Sequence, residues 1–385
     1  MVTGSGRLRV ALDATPLIGH RTGVGEFCRG AIDALAERDD LDVSGFAVSW
    51  RRRRVAHQAL TAKVGTDQRA MPARPLHLAW RHLDGPPIEW FVGDCDVVHG
   101  TNFVVPPTRR AGRVVTIHDL TVIHYPELCD GPTLAYPSLI RRALRAGAFV
   151  HTPSAFVAAE ACEAFGVPPE RVRAVHSGIP DHRAPGGDEV PIDLLPSGTA
   201  RFILSLATAE PRKDLPALVA AFDHLADERS DVALVLAGQA GWGETQLAEA
   251  VARSPFAERI VRPGWLDEAT LSALLGAASV LAYPSRYEGF GFPPLEAMAR
   301  GVPVVATDAG ALPEVLGDGA ALVPVGDVGA LAAALAEVLD SSARAEGLVA
   351  AGLRRAGQFS WTDCAEGLGA LYHDVCAERL GASRR

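Results

Sequence analysis

The chain of 385 residues contains no run of about 18 apolar residues, so a membrane-spanning helix is not expected. The stretch Met1 to Arg9 has no apolar core of the secretory kind, and a strand-like run starts at once; the expected address is the cytoplasm. No Cys-x-x-Cys pair occurs. The six cysteines (Cys28, Cys95, Cys129, Cys162, Cys364, Cys376) are scattered, which points to buried free thiols rather than to disulfides or a metal site. There is no basic excess: the formal net charge is −9, which argues against a nucleic-acid partner. Repeats and low-complexity tracts are absent. No Asp-x-Asp pair lies at the carboxyl end of a strand-like run, so neither a metal nor another cofactor is expected. Asp39-Asp40 and Asp267-Glu268 are adjacent carboxylates, but they read as loop or helix-start residues.

What is present describes a globular protein, 48% hydrophobic and 22% charged. Its length exceeds what one core usually supports, so two domains are predicted. Short apolar runs recur at Arg9–Leu12, Val97–Gly100, Val114–Ile117 and Phe149–Thr152. They return at Phe202–Leu206, Val232–Ala237, Val280–Tyr283, Val302–Ala306 and Ala321–Val323. Such continuous runs read as strands buried on both faces. Helical patterns at Val157–Phe165, Leu215–Leu225 and Glu268–Ala277 lie between them. Alternating strands and helices predict an α/β protein with parallel, doubly wound sheets. The composition turns rich in Gly, Pro and Asp over Gly178–Gly198. The predicted division is therefore a domain over 1–180, a linker over 181–199 and a domain over 200–361, followed by a helical tail over about 362–385.

Four loops carry chemistry. In the first, Gly19 to Glu26, Gly23 and Gly25 permit tight turns, and a helix starting near Gly25 would offer its N–H groups to an anion. In the second, Ala209 to Asp214, Arg212 and Lys213 are adjacent cations at a strand-to-helix turn, suited to a diphosphate; Asp214 is a natural cap for the next helix. The third, Tyr287 to Glu296, sets Glu288 and Glu296 seven residues apart across Gly289 and Gly291. Its two prolines open a helix with Glu296 expected in the first turn. Two carboxylates across a glycine loop suit the hydroxyls of a ribose and a sugar, with backbone N–H groups from Phe290 to Phe292 alongside. The fourth, Thr116 to Leu120, places His118 and Asp119 at a strand carboxyl end.

Together these loops resemble the retaining glycosyltransferases of family 4, of the GT-B type with two Rossmann-like domains facing a central cleft. The resemblance rests on Glu288-Gly-Phe-Gly-Phe-Pro-Pro-Leu-Glu296 with Ala297 to Val305 after it, on Pro211-Arg-Lys-Asp214, and on Gly264-Trp-Leu-Asp-Glu268. Pro153 to Phe156 and Val175 to Pro180 extend it over nearly the whole chain. It implies that Arg212 and Lys213 bind the donor diphosphate, with Gly23 and Gly25 approaching from the other domain. Glu288 would bind the donor sugar together with Phe290, Gly291 and Phe292, and Glu296 the ribose. Val261, Arg262 and Leu266 would hold the base. His118, Asp119 and Asn102 would face the acceptor, His118 near the reacting carbon, and the tail helix would pack back on the first domain.

His99-Gly-Thr-Asn102, Ile117 to Leu120 and His124-Tyr-Pro-Glu127 resemble the branch that builds mannose- or rhamnose-containing glycans. The implied donor is GDP-mannose; rhamnosyl or glucosyl transfer from dTDP or UDP donors is the alternative. The implied acceptor is a glycan, a lipid-linked glycan or a small molecule. The implied mechanism is front-side attack by an acceptor hydroxyl, with the leaving phosphate as base and cations in place of a metal. Competing readings are a sugar-nucleotide 2-epimerase and a non-catalytic subunit of a glycosyltransferase complex. Arg51 to Arg54 offer a basic loop for peripheral contact with the inner face of an anionic membrane.

Overall fold

The computed structural model describes residues 6–19, 22–66, 69–131, 133–179 and 194–382. The chain forms two compact units: Met1–Gly178 with Phe359–Arg385, and Ile179–Gln358. Most of the predicted linker falls on residues 180–193, outside the described residues.

The first unit is built on seven strands: β1 (Leu8–Asp13), β2 (Leu41–Phe46), β3 (Gly65–Thr66), β4 (Val97–Gly100), β5 (Gly112–Thr116), β6 (Phe149–Thr152) and β7 (Val172–Ala174). They pair in the order β3-β2-β1-β4-β5-β6-β7, every pairing parallel. All residues of β4, β5 and β6 are buried, as their continuous apolar runs predict. The second unit has β8 (Arg201–Leu206), β9 (Val232–Ala237), β10 (Ile260–Gly264), β11 (Val280–Tyr283), β12 (Val304–Thr307) and β13 (Ala320–Val323). Their order is β10-β9-β8-β11-β12-β13, again parallel throughout. Both sheets reverse their winding beside the first strand, between β1 and β4 and between β8 and β11. In such a sheet the ligand crevice lies at the strand carboxyl ends beside this reversal. The loops singled out above leave β1, β5, β8 and β11.

Local sequence sets the helix ends. Thr22 caps the helix Gly23–Ala36 and Ser154 caps Ala155–Phe165, which stops at Gly166 in the left-handed region. Asp267 caps Glu268–Ala277 by accepting from the Thr270 N–H. The long last helix, Trp361–Ala382, belongs to the first unit. Its buried stripe, Cys364, Ala365, Leu368, Leu371, Tyr372 and Val375, follows the helical period. Packing is close enough to require glycine: a Cβ on Gly30 would lie 2.1 Å from the Trp361 ring, and one on Gly112 2.2 Å from Val375.

Two expectations change. All six cysteines are free, but only Cys28 and Cys364 are buried; the other four are partly exposed. The arginine run is not one loop, because Arg53 and Arg54 open the helix Arg53–Gln58. Arg51, Arg52 and Arg54 are exposed, and so is Trp50 beside them, at 65% of its surface. Among the described residues no helix is long and apolar enough to cross a membrane.

Candidate active site

In the first unit, hydrogen bonds tie together the ends of β1, β4 and β5. The Asp13 carbonyl accepts from Thr101 Oγ1 at 2.6 Å. The Thr101 carbonyl is 2.8 Å from His118 Nε2. A carbonyl only accepts, so Nε2 carries the proton and Nδ1 of the neutral ring presents a lone pair. Burial holds the His118 pKa below the usual imidazole value, which keeps that form at neutral pH. The edges of Phe27 and Phe103 flank the ring, with centroids at 5.3 and 5.6 Å. Phe103 has a φ of +57°, uncommon for a residue with a side chain, and its N–H donates to the Thr116 carbonyl. Asn102 stands next to it, half-buried. The Asp119 carboxylate accepts from the Thr121 N–H at 2.9 Å and so closes its own turn.

The glycine-rich loop differs from expectation. Gly23 and Gly25 are not in tight turns; both lie in the first turn of the helix, and the Gly25 N–H donates to Thr22 Oγ1 at 3.2 Å. Its lack of a side chain matters because a Cβ would sit 3.4 Å from the Pro16 carbonyl. Asp13, not singled out from the sequence, lies half-buried at the end of β1. Its carboxylate accepts from the Thr15 N–H, and burial raises its pKa to about 6.

Behind these strand ends runs a buried chain of neutral groups. His151 Nε2 meets the Val175 carbonyl at 3.2 Å, so it must donate there. That leaves His151 Nδ1 to accept from Thr116 Oγ1 at 3.0 Å. Thr116 then accepts from His99 Nε2 at 2.7 Å, and His99 Nδ1 accepts from the Tyr372 hydroxyl at 2.7 Å. Every proton in the chain is assigned by the carbonyl at its end. Burial lowers the pKa of both histidines, that of His151 to about 3, so both stay neutral. Phe27 stacks on His151 at 5.1 Å, which joins this chain to the packing around His118.

In the second unit, the loops after β8 and β11 meet. Arg212 Nη1 donates to Glu288 Oε2 at 2.9 Å and to the Tyr287 carbonyl at 3.0 Å. Lys213 Nζ donates to Glu288 Oε1 at 2.6 Å and to the Tyr283 hydroxyl at 2.8 Å. These side chains are at most 16% exposed, so the pair is not a solvated surface charge. Burial alone would push the Glu288 carboxyl up, but Arg212 and Lys213 outweigh it and bring its pKa to about 2. Burial lowers the Lys213 pKa, and Glu288 opposes that shift. Tyr283 is held far above the usual phenol value, first by burial and then by the Glu288 charge. The cluster thus holds two cations around Glu288, with the Glu210 carboxylate 3.5 Å from Arg212 Nη2 at its edge.

Other residues of this unit fall differently. Asp214 precedes the helix Leu215–Ala226 but does not cap it; its carboxylate turns to Arg286 instead. Glu296 is not in the first turn of Phe292–Ala299 but in the second, half-buried, with Arg300 one turn on feeling its charge. Phe290 and Phe292 pack edge-on at 5.0 Å, and Gly291, at φ +123°, passes against Leu312. Val261, Arg262 and Leu266 are not gathered with the cluster. Val261 and Arg262 lie on the edge strand β10 and Leu266 just beyond it, two strands from β8, and Arg262 is paired with Glu244. Two participants were not singled out from the sequence. Tyr283 reads there as an ordinary strand residue. Gly310 (φ +57°) is required because a Cβ would come within 2.3 Å of the Glu288 carbonyl.

Comparison with known proteins agrees with this layout. The description Glycosyltransferase Family 4 matches residues 21–183, and Glycosyl transferases group 1 matches residues 188–355. The O-antigen chain mannosyltransferase B of Escherichia coli is 32% identical over 276 residues, 70% of this chain and 71% of that protein. An MMP alpha-(1->4)-mannosyltransferase of Mycolicibacterium hassiacum is 40% identical over 181 residues, 46% of this chain and 43% of that one. A sucrose-phosphate synthase from Thermosynechococcus elongatus shares the fold, with a TM-score of 0.73 at 20% identity over 97% of this chain and 100% of that one.

Proposed function

We propose, since this chain belongs to glycosyltransferase family 4 and has the GT-B fold, that it moves a mannosyl group from GDP-mannose to a hydroxyl acceptor of a glycan or glycolipid. The observation that carries the proposal is the convergence of Arg212 and Lys213 with Glu288 at the carboxyl ends of β8 and β11. Two buried cations at a strand-to-helix turn suit a diphosphate, whose charge grows as the glycosidic bond breaks. They would hold that charge without a metal ion. Glu288 would accept hydrogen bonds from donor-sugar hydroxyls and Glu296 from the ribose. Val261, Arg262 and Leu266 would line the base. The neutral His118 would orient a hydroxyl through the lone pair on Nδ1, with Asn102 and Asp119 on the acceptor side.

The acceptor hydroxyl would attack on the face the nucleotide leaves and give its proton to the departing phosphate, so configuration is retained. The mannosyl assignment draws on the two mannosyltransferases similar to this chain. Peripheral contact with an anionic membrane would use Arg51 to Arg54, beside the exposed Trp50.

A thermal-shift panel with GDP, UDP, dTDP and ADP, with and without magnesium, tests the donor. A metal-independent shift with GDP alone is expected. A shift with UDP or dTDP instead discards mannose from GDP-mannose but keeps the site. No shift with any nucleotide removes the donor site as assigned. The anomeric configuration of the product, read by NMR, tests retention.

A further inference from the structure

Among the described residues, Asp214 is one of two outside glycine with a positive φ, at +46°, and it directly follows Lys213. Aspartate enters this region more readily than most residues with a side chain, so the turn is set by what the carboxylate binds rather than by strain. Asp214 sits at the cap position of Leu215–Ala226, yet its side chain makes no capping bond. It is buried, and its Oδ2 instead accepts from Arg286 Nε at 2.8 Å. Arg286 also donates its backbone N–H to the Arg212 carbonyl at 2.8 Å. In the opposite direction, Arg212 reaches across to the Tyr287 carbonyl and to Glu288. The loop after β8 and the loop after β11 are therefore cross-braced by bonds from each side.

We propose that Asp214 and Arg286 form a positioning pair for the diphosphate: their ion pair holds the left-handed turn that aims Arg212 and Lys213, so the cations meet the donor already in place. This rests on the reading of Arg212 and Lys213 as the diphosphate site. Positioning of this kind acts on donor binding, because a charged group that needs no reorganisation binds its ligand at lower cost. Arg286 is half-exposed. If it touched the phosphate itself, releasing it from Asp214 would strengthen binding. The brace predicts the opposite.

Asp214→Gly is the informative variant, because glycine accepts the positive φ without strain and removes only the partner of Arg286. The expected result is a donor KM, and a Kd for free GDP, raised roughly 3- to 30-fold, with kcat changed less. Arg286→Gln is expected to do the same, and the double variant to be no worse than the worse single. Asp214→Asn, which tolerates the left-handed turn, is expected to fall between wild type and Asp214→Gly. Unchanged or tighter GDP binding in Asp214→Gly, or effects of the two variants that simply add, overturns the pair. If Asp214→Gly does not fold, Arg286→Gln alone decides by the same measure. A wild-type protein that binds no nucleotide overturns the donor-site reading together with this one; a wild type that binds, with variants that bind equally, overturns only the pair.

Discussion

The buried histidine chain of the first unit is neutral, and the buried cluster at the ends of β8 and β11 in the second is charged. Tyr372, His99, Thr116 and His151 pass hydrogen bonds in one direction to the Val175 carbonyl, and each group is satisfied without ionising. Arg212, Lys213 and Glu288 keep full charges largely out of water and are compensated by one another and by Glu210 beside Arg212. The neutral chain costs little to desolvate and suits a wall that must hold its shape. The ionic cluster is expensive to bury and suits a place where another charge is to be received. The contrast is what the proposed donor site requires: a neutral scaffold in one unit and a charged cluster in the other.

The sharpest test of that contrast is Glu288→Ala. Transfer is expected to fall about a thousandfold in initial-rate assays, as for loss of a well-placed electrostatic group. Lys213→Ala should likewise abolish or nearly abolish transfer. In Glu288→Ala, Lys213 would lose its carboxylate partner and Arg212 would keep only Glu210, so urea unfolding should show a loss of about 3–5 kcal/mol in a protein that still folds. Glu288→Asp, which keeps the counter-charge and shortens the reach, should separate the activity loss from the stability loss.

Thr116→Val cuts the neutral chain in its middle and orphans a nitrogen on each side. Denaturant melts should show a loss of about 3 kcal/mol, whereas Tyr372→Phe, which removes only the end donor, should cost about 1–2 kcal/mol. If both leave stability unchanged, the chain is not a scaffold.

Acid should separate the two units. The His99, His118 and His151 pKa values are lowered in the fold, so the unfolded chain takes up protons first. Their contribution is complete above about pH 6.5 and is lost as the pH falls below it, for His151 until about pH 3. Asp13 works in the opposite direction: with its pKa raised, it favours the fold as pH drops from 6 toward 3.8, offsetting part of one histidine. Glu288, with its pKa lowered from 4.5 to about 2, is unaffected until about pH 4.5. Amide exchange in β4–β6 should therefore accelerate at a higher pH than exchange in β8 and β11. Equal onset would dissolve the comparison.

The smallest effect is expected at the surface. Arg173 pairs with Asp374 on the last helix, both half-exposed, and Arg173→Gln should change stability by less than about 1 kcal/mol in the same melts.

The strands that could be read in advance are those whose residues are buried on both faces, such as β4, β6, β9 and β11. β2, β3, β7 and β10 were not among the apolar runs. β2 alternates its buried and open positions, and β7 and β10 carry polar or exposed residues at the sheet edges. Arg212, Lys213 and Glu288 were legible because charged residues in loops broken by glycine and proline have few other uses. Tyr283, Gly310 and the Asp214–Arg286 pair were not, because their meaning depends on partners far along the chain. Asp214 and Arg286 are 72 residues apart, and Gly310 is explained only by the Glu288 backbone it passes. The direction of the histidine chain likewise exists only once His151 is seen against the Val175 carbonyl.

The membership of Trp361–Ala382 in the first unit has a consequence for the order in which the protein is made. The second unit is one uninterrupted segment, Ile179–Gln358, and all of it leaves the ribosome before the last piece of the first unit does. Until Tyr372 emerges, His99 Nδ1 has no donor, and the face that receives Trp361 beside Gly30 stays uncovered. The half of the molecule begun first is thus completed last, and a nascent chain that has emerged only as far as residue 358 would carry a finished second unit behind an open first one.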